Sequence, residues 1–479
     1  MVSLVLLAGS AYAADSVDEI VVTSSRTPSS ALTHTGNISR IDDESLTEVG
    51  HAHVHELMTR TPGVWISRGS GQESLPSIRS PVLTGAGSCG AFQTLEDGLP
   101  SRPGGFCNVN QLFELPTELA ESIEVIRGPS NALYGSNALH GVINVLLPEA
   151  RGERFARASF EAGANEFVRI GGSMRLDDSA NIVLGGVFAD DGGFRDDSGY
   201  AQSKAFLKKA WDLADGSLLA GLSVSYLDQE TAGFIQGKDA YEDPLQNRRN
   251  LNPEAFRSAA SQRLMLRWQR SGDRFDIDIR PYLRNTEMEF LQHFLPGKPL
   301  EENAHTSLGV LANFRTDSES RSIAFGFDVD FADVSLQETQ FGPTEGSAFL
   351  QETRPTGRHY DFDVRGSSLA GYFQSETRLT GKISVTFGLR AEYAYYDYDN
   401  RMLAGNTRDD GSVCGFGGCL YSRPASRSDH FLDLAPKFGA LIRLGETSSM
   451  YANLARGFRA PQMTELYRLQ SGQAVADLD

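Results

Sequence analysis

ELAESIEVIRGPSNALYGSNALHGVINVLLP, residues 118–148, is the stretch whose reading decides the fold. Ser122 to Arg127 alternates apolar and polar residues and predicts a short strand. Gly128-Pro129 breaks it. Ser130 to Tyr134 predicts a tight segment, and Gly135 and Gly141 permit close backbone packing around it. His140 to Leu147 predicts a second, apolar strand that stops at Pro148. A phosphate-cradling loop does not fit, because no Gly-Lys-Ser/Thr follows and no helix is expected to open there. From Arg151 onward the chain becomes a long series of alternating strands, so a small globular domain ends here and a sheet begins.

This stretch resembles the end of the plug domain of TonB-dependent outer-membrane receptors. Ile123, Glu124, Val125, Ile126, Arg127, Gly128 and Pro129 match the first half of that family's motif. Leu133, Tyr134, Gly135, Ala138, Gly141, Val142, Ile143, Asn144 and Val145 match the second half. Upstream, Leu57 to Val64, Ser77-Ile78-Arg79 and Leu95 to Pro100 resemble further plug elements in the family's order, although Ser80 stands where the family has glycine. The resemblance implies a mixed α/β plug domain inside a transmembrane antiparallel β-barrel. It also implies that Arg79 and Arg127 pair with acidic residues of the barrel wall, since a buried charge needs a partner.

Composition agrees. The chain has 479 residues, too many for one small domain. Apolar residues make up 40%, too few for a bundle of hydrophobic helices, while 48 glycines and 9% aromatics suit strands that alternate lipid-facing and lumen-facing residues. The net charge of -18 argues against a nucleic-acid partner, which needs a basic footprint.

Val2 to Ala8 is a short apolar run, and Ala11-Tyr12-Ala13 has the form of a signal-peptidase site, so residues 1–13 are expected to be a signal peptide. No Lys or Arg precedes the run, which places the true start upstream or leaves the sequence incomplete there. Asp18, Glu19, Ile20, Val21, Val22 and Thr23 favour extended backbone with no partner strand nearby. They resemble the TonB box, the segment that pairs with the periplasmic energy-transducing protein TonB by adding a strand. Residues 14–37 are thus expected to be box and linker. An added signalling domain of roughly 80 residues, which some relatives carry before the box, is not expected.

The plug is expected over 38–148. Asp42 to Met58 predicts one helix with Leu46, Val49, Val54, Leu57 and Met58 on its apolar face. On that helix His51 and His55 could share a metal, and His-x-His can form half of a hydrolase site. No Asp/His set follows at a telling distance, so no metal site is assigned. Cys89 with Cys107 and Cys414 with Cys419 form two local pairs in Gly-rich loops, which in an exported protein points to two disulfides. Zinc is the competitor, but the spacing lacks its usual pairs. The loops Thr84 to Ala91 and Ser101 to Phe106 are candidate outward apices, with Phe92, Arg102 and Phe106 as candidate ligand contacts.

Thirteen strands are expected over 151–479, most with period-two patterning. Short connections such as Asp215-Gly216 and Thr380-Gly381 alternate with long ones, Asp228 to Ala260, Gln337 to Val364 and Asp399 to Asp429. Outer-membrane barrels are built this way; a propeller is not. Plugged transporters have about 22 strands, and Tyr451 to Tyr467 resembles an internal family segment, so an incomplete barrel is expected. Asp190, Asp191, Asp196 and Asp197 share a glycine-rich loop that could hold calcium or be a solvated acidic loop. Phe234, Tyr241, Phe290, Phe294, Phe341, Phe349 and Tyr360 could stack on a bulky ligand or simply pack.

The resemblance implies TonB-driven uptake of a scarce ligand too bulky for porins, a ferric siderophore first, with cobalamin, haem, another metal or an oligosaccharide as alternatives. Gram-negative outer-membrane lipid is the implied setting. No nucleophile motif such as Gly-x-Ser-x-Gly is present and no enzyme is expected. A passive porin or adhesin, and a metal hydrolase using His51 and His53, are the readings from other classes.

Overall fold

The computed structural model describes residues 21–22, 29–30, 35–85, 87–107, 111–176, 179–445 and 448–477. Its first body is organised on a five-stranded sheet in the order Asn37–Ile41, Ser122–Arg127, Gly141–Leu146, Phe92–Glu96, Leu99–Pro100. The central strand Gly141–Leu146 runs antiparallel to Ser122–Arg127 and parallel to Phe92–Glu96. Both faces of the sheet are covered, and its central strand Gly141–Leu146 reads as a near-continuous apolar run. Ile123, Val125, Val142, Ile143 and Val145 are all fully buried. Gly141 is required by the tight junction: a Cβ there would lie 2.5 Å from the carbonyl oxygen of Ile126. The edge hairpin turns at Asp97 and Gly98, with φ of 50° and 79°, the positive values a two-residue turn needs.

Two expectations change here. The segment after Pro129 is a single helical turn, Asn131–Tyr134, where none was expected. The stretch 42–58 is two short helices. Asp42 caps the first, Asp43–Val49, by accepting from the Ser45 amide at 2.9 Å, and Gly50 ends it in the left-handed conformation at φ 51°. Val54–Met58 is the second. The apolar spacing was right, but a left-handed C-cap glycine stops a helix whatever follows.

The second body is one antiparallel sheet of 13 strands, each bonded to the next in sequence, from Phe155–Ala162 to Ser449–Ala455. These two outermost strands do not pair with each other among the described residues, so the sheet is open. In Tyr200–Leu213 the inward positions Gln202, Lys204, Phe206 and Lys208 are buried, while Leu207 and Trp211 are exposed outward. Polar inside and apolar outside is the inverse of a soluble sandwich and is the pattern of a transmembrane barrel.

Most strands run further than expected on the side of the long connections. Gly357–Arg378 has 22 residues, against the roughly 9–11 that a tilted strand needs to cross a bilayer. The extra length shortens the three long connections to residues 231–255, 341–356 and 401–426.

Candidate functional site

The first body sits in the concave face of the sheet, and the seam between them is ionic. Its sign is the reverse of the expected one: the plug supplies the carboxylates and the barrel supplies the cations. Arg263, on the strand Phe256–Arg270, reaches Glu96 at 3.2 Å and Glu114 at 3.4 Å. Lys204 meets Glu118 at 2.9 Å, Lys208 meets Asp97 at 2.7 Å, and Arg257 meets Glu73 at 3.0 Å. Burial opposes the ionisation of Glu118, but Lys204 and then His51 outweigh it and hold its pKa below the usual carboxylate value.

Arg79 and Arg127 make no ion pair with the barrel among the described residues. Arg127 donates instead to Pro62 O at 2.5 Å and to Ser39 Oγ at 2.8 Å, tying one end of the plug together. Arg79, at φ 50°, donates its amide to Gly63 O at 2.9 Å. Gly128 donates to His140 O at 2.8 Å, while Pro129 and Tyr134 line a small cleft against Lys437. Gly135 marks a close approach to the wall: a Cβ there would lie 2.3 Å from Glu392 Oε2 and 2.7 Å from Arg390 Nη2.

The three histidines serve the plug fold. His51 is buried with Nε2 at 3.0 Å from Thr117 Oγ1, and His55 Nδ1 lies 2.7 Å from Ile66 O. His53 is the N-cap of the second short helix. Its Nδ1 accepts from the His55 amide at 3.0 Å, and its Nε2 faces Glu73 O at 3.1 Å as donor. Burial, then Arg68, lowers its pKa from 6.5 to about 3. Among the described residues no group of His, Cys, Asp or Glu gathers to hold a metal, the histidines and the acidic loop included. Asp191 instead accepts from the Gly193 amide at 2.8 Å, and the Asp196 amide bonds Arg248 O at 2.8 Å.

At the end bearing the long connections lies a chamber of about 1080 Å³ between plug and barrel. Its floor is the plug stretch Ser67 to Gly71, the end of a strand and the turn after it, together with Thr84, Gly85 and Cys107. The turn after Arg68, at Gly69 to Gly71, was missed in the sequence, whose small residues there carry no periodicity. Arg68, Arg195, Arg257, Arg354 and Arg468 line the chamber, against the carboxylates Glu73, Asp191, Glu301 and Glu338. Four of the seven loop aromatics, Phe234, Phe290, Phe294 and Tyr360, also face it. Tyr241 and Phe341 point to solvent instead, and Phe349 packs edge-on against Phe416 at 5.4 Å. Arg257 stacks on Phe290 at 4.2 Å.

The three plug residues expected to touch ligand do not line this chamber. Phe92 is buried in the plug sheet. Arg102 donates to the carbonyls of Cys89 and Phe92, and burial lowers its pKa to about 10, so it stays charged. Phe106 packs edge-on against His305 at 6.0 Å. The apex loops are cross-linked by Cys89–Cys107, and Cys414–Cys419 closes a five-residue step in the connection 401–426. Of the TonB-box residues, Val21–Val22 pairs with Ser29–Ser30, a partner strand the sequence did not lead us to expect. Asp18, Glu19, Ile20 and Thr23 lie outside the described residues, as does the signal-peptide segment.

A mixed α/β plug seated against an open antiparallel sheet, with a chamber between them, is the arrangement that these residues build. Residues 30–142 match the TonB-dependent Receptor Plug Domain, and residues 190–478 match the TonB dependent receptor-like, beta-barrel domain. The chain belongs to the TonB-dependent receptor family.

Its fold is similar to that of the ferric citrate transporter FecA in the unliganded form, at 16% identity and a TM-score of 0.70, over 90% of this chain and 64% of that one. It is similar to the open form of the ferric-catecholate import receptor Fiu from E. coli K12, at 16% identity and a TM-score of 0.67, over 91% and 71%. It is also similar to the copper transporter OprC, at 14% identity and a TM-score of 0.63, over 86% and 61%. The chain thus spans about two thirds of these proteins, and at such identities the likeness is one of fold. Their different cargoes show that the fold does not set the ligand.

Proposed function

We propose that this chain is the plug and part of the barrel of a receptor that takes up a bulky anionic ferric chelate across the outer membrane of a Gram-negative bacterium, driven by TonB. The observation that carries the reading is the chamber. In a chain of net charge -18 its wall holds five arginines against four carboxylates, with aromatic faces between them. A locally cationic, aromatic pocket in an acidic protein favours a large anion with flat apolar groups, the chemistry of a ferric siderophore. Catalysis is not needed for transport. The proposed division is a signal peptide over 1–13, box and linker over 14–37, plug over 38–148 and barrel from 151. TonB engages residues 18–23 by strand addition. It draws on the inner-membrane proton gradient, and the outward Leu, Phe and Trp side chains meet lipid.

The test is growth of a deletion strain on defined ferric chelates, complemented with the full-length gene or with the gene lacking codons 18–23. Rescue by the first alone supports the reading. Equal rescue by both sinks it in favour of a passive barrel, and rescue on cobalamin or haem in place of iron chelates reassigns the cargo.

A further inference from the structure

After the strand Ser449–Ala455 the chain turns inward, and residues 456–470 cross the lumen from the plug to the chamber wall. At the plug end Asn131 Nδ2 donates to Phe458 O at 2.6 Å, and the Ala460 amide donates to Ser136 Oγ at 3.1 Å. Arg459 donates to Gly87 O at 3.1 Å, and the Met463 amide donates to Gly105 O at 2.7 Å. The fit is close: a Cβ on Gly87 would lie 1.9 Å from Glu465, and one on Gly90 would lie 2.5 Å from Gln462. In the middle, Gln462 and Glu465 cap the single turn Met463–Tyr467, and Tyr467 stacks on Tyr398 at 4.1 Å.

At the wall end Arg468 pairs with Glu301 at 2.7 Å and with Glu338, beside a register shift in the strand Arg321–Gln340. Tyr360 donates to Leu469 O at 2.8 Å. Arg468 also lines the chamber, as Thr464 and Gln470 do. One short rigid element thus holds both plug apices at one end and the chamber's main ion cluster at the other.

We propose that Arg468 is a positioning residue: through the turn 463–467 it clamps the plug apex, at residues 87–90 and 105, against the chamber wall. Anything that draws its guanidinium from Glu301 and Glu338 loosens that apex. An anionic group of a ligand competes for the same donors; this last step alone rests on the chamber being the ligand site.

The experiment needs no ligand, so its failure leaves the uptake reading untouched. Amide exchange is measured on the full-length protein in detergent, wild type against Arg468→Gln. The Ser88 and Gly90 amides, bonded to Gly85 O and Gly87 O, are expected to exchange at least about tenfold faster, with Ser122 to Arg127 unchanged. Faster exchange confined to Ala460 and Met463 would mean that Arg468 shapes only its own segment, and the proposal falls. It falls equally if no amide changes. Should Arg468→Gln fail to fold, Glu301→Gln with Glu338→Gln keeps the arginine and removes its anchors. Unchanged Ser88 and Gly90 in that variant overturn the proposal, and a tenfold rise upholds it.

Discussion

Replacing Arg263 with glutamine isolates the energy of the ionic seam. The arginine is buried and meets Glu96, Glu114, the Glu114 carbonyl at 2.8 Å and Ser261 Oγ at 3.0 Å. Glutamine leaves two plug carboxylates facing the wall without their cation. Breaking a buried pair by removing one partner costs about 3–5 kcal/mol. With a urea slope of roughly 2 kcal/mol/M for a domain of this size, the plug's unfolding midpoint should fall by about 1.5–2.5 M. The assay is the fluorescence of Trp65, which lies in the plug strand Val64–Arg68, after Trp211 and Trp268 are changed to phenylalanine. A companion variant, Arg263→Met with Glu96→Gln and Glu114→Gln, removes all three charges and should recover most of the loss, because apolar or neutral replacement of a whole cluster is often nearly neutral. A midpoint shift below about 0.3 M for Arg263→Gln would show that lumen water solvates these carboxylates, and the seam would then not hold the plug.

Three further predictions follow from the plug. His53 is neutral when folded because Nδ1 must accept from the His55 amide, and its folded pKa of about 3 lies below the unfolded 6.5. The unfolded chain therefore binds more protons between those values, and plug stability drops as pH falls from 6.5 towards 3. His53→Asn keeps a capping side chain and should flatten that decline in urea midpoints measured at pH 7, 5 and 4. Gly135→Ala forces a Cβ against Glu392 at a backbone φ of 77° and should destabilise the plug by about 1–3 kcal/mol, read as a lower urea midpoint in the same Trp65 assay. Cys89→Ser with Cys107→Ser opens the apex cross-link and should cost roughly 3 kcal/mol, and in a background with Cys414→Ser and Cys419→Ser reductant should lower the plug's urea midpoint only where Cys89 and Cys107 are kept.

The fold was readable because it is written locally. Ser122 to Leu147 states a strand, a turn and a strand within one window, and most barrel strands state their own period of two. Strand ends were not readable beyond the bilayer, where the outward face no longer needs apolar residues and the alternation fades, as in Gly357 to Asp363. The helix break at Gly50 was visible as a glycine but not as a left-handed one. The direction of the ionic seam was hidden, since pairing Arg263 with Glu114 joins residues far apart in the chain. Phe92 and Phe106 show the same limit: an aromatic near an apex reads alike whether it meets ligand or core. The inward turn of residues 456–470 did leave a trace in Pro461 and the Gln462-to-Glu465 capping spacing, which announces a helix start after the last expected strand.

That the plug carries the carboxylates of the seam and the barrel carries the cations has a consequence for the wall. Without the plug, Glu73, Glu96, Asp97, Glu114 and Glu118 would no longer face Arg257, Arg263, Lys208 and Lys204, and these four cations would be left along that part of the wall. That stretch of wall would be electropositive and attractive to a negatively charged solute, and its pull would weaken as salt rises.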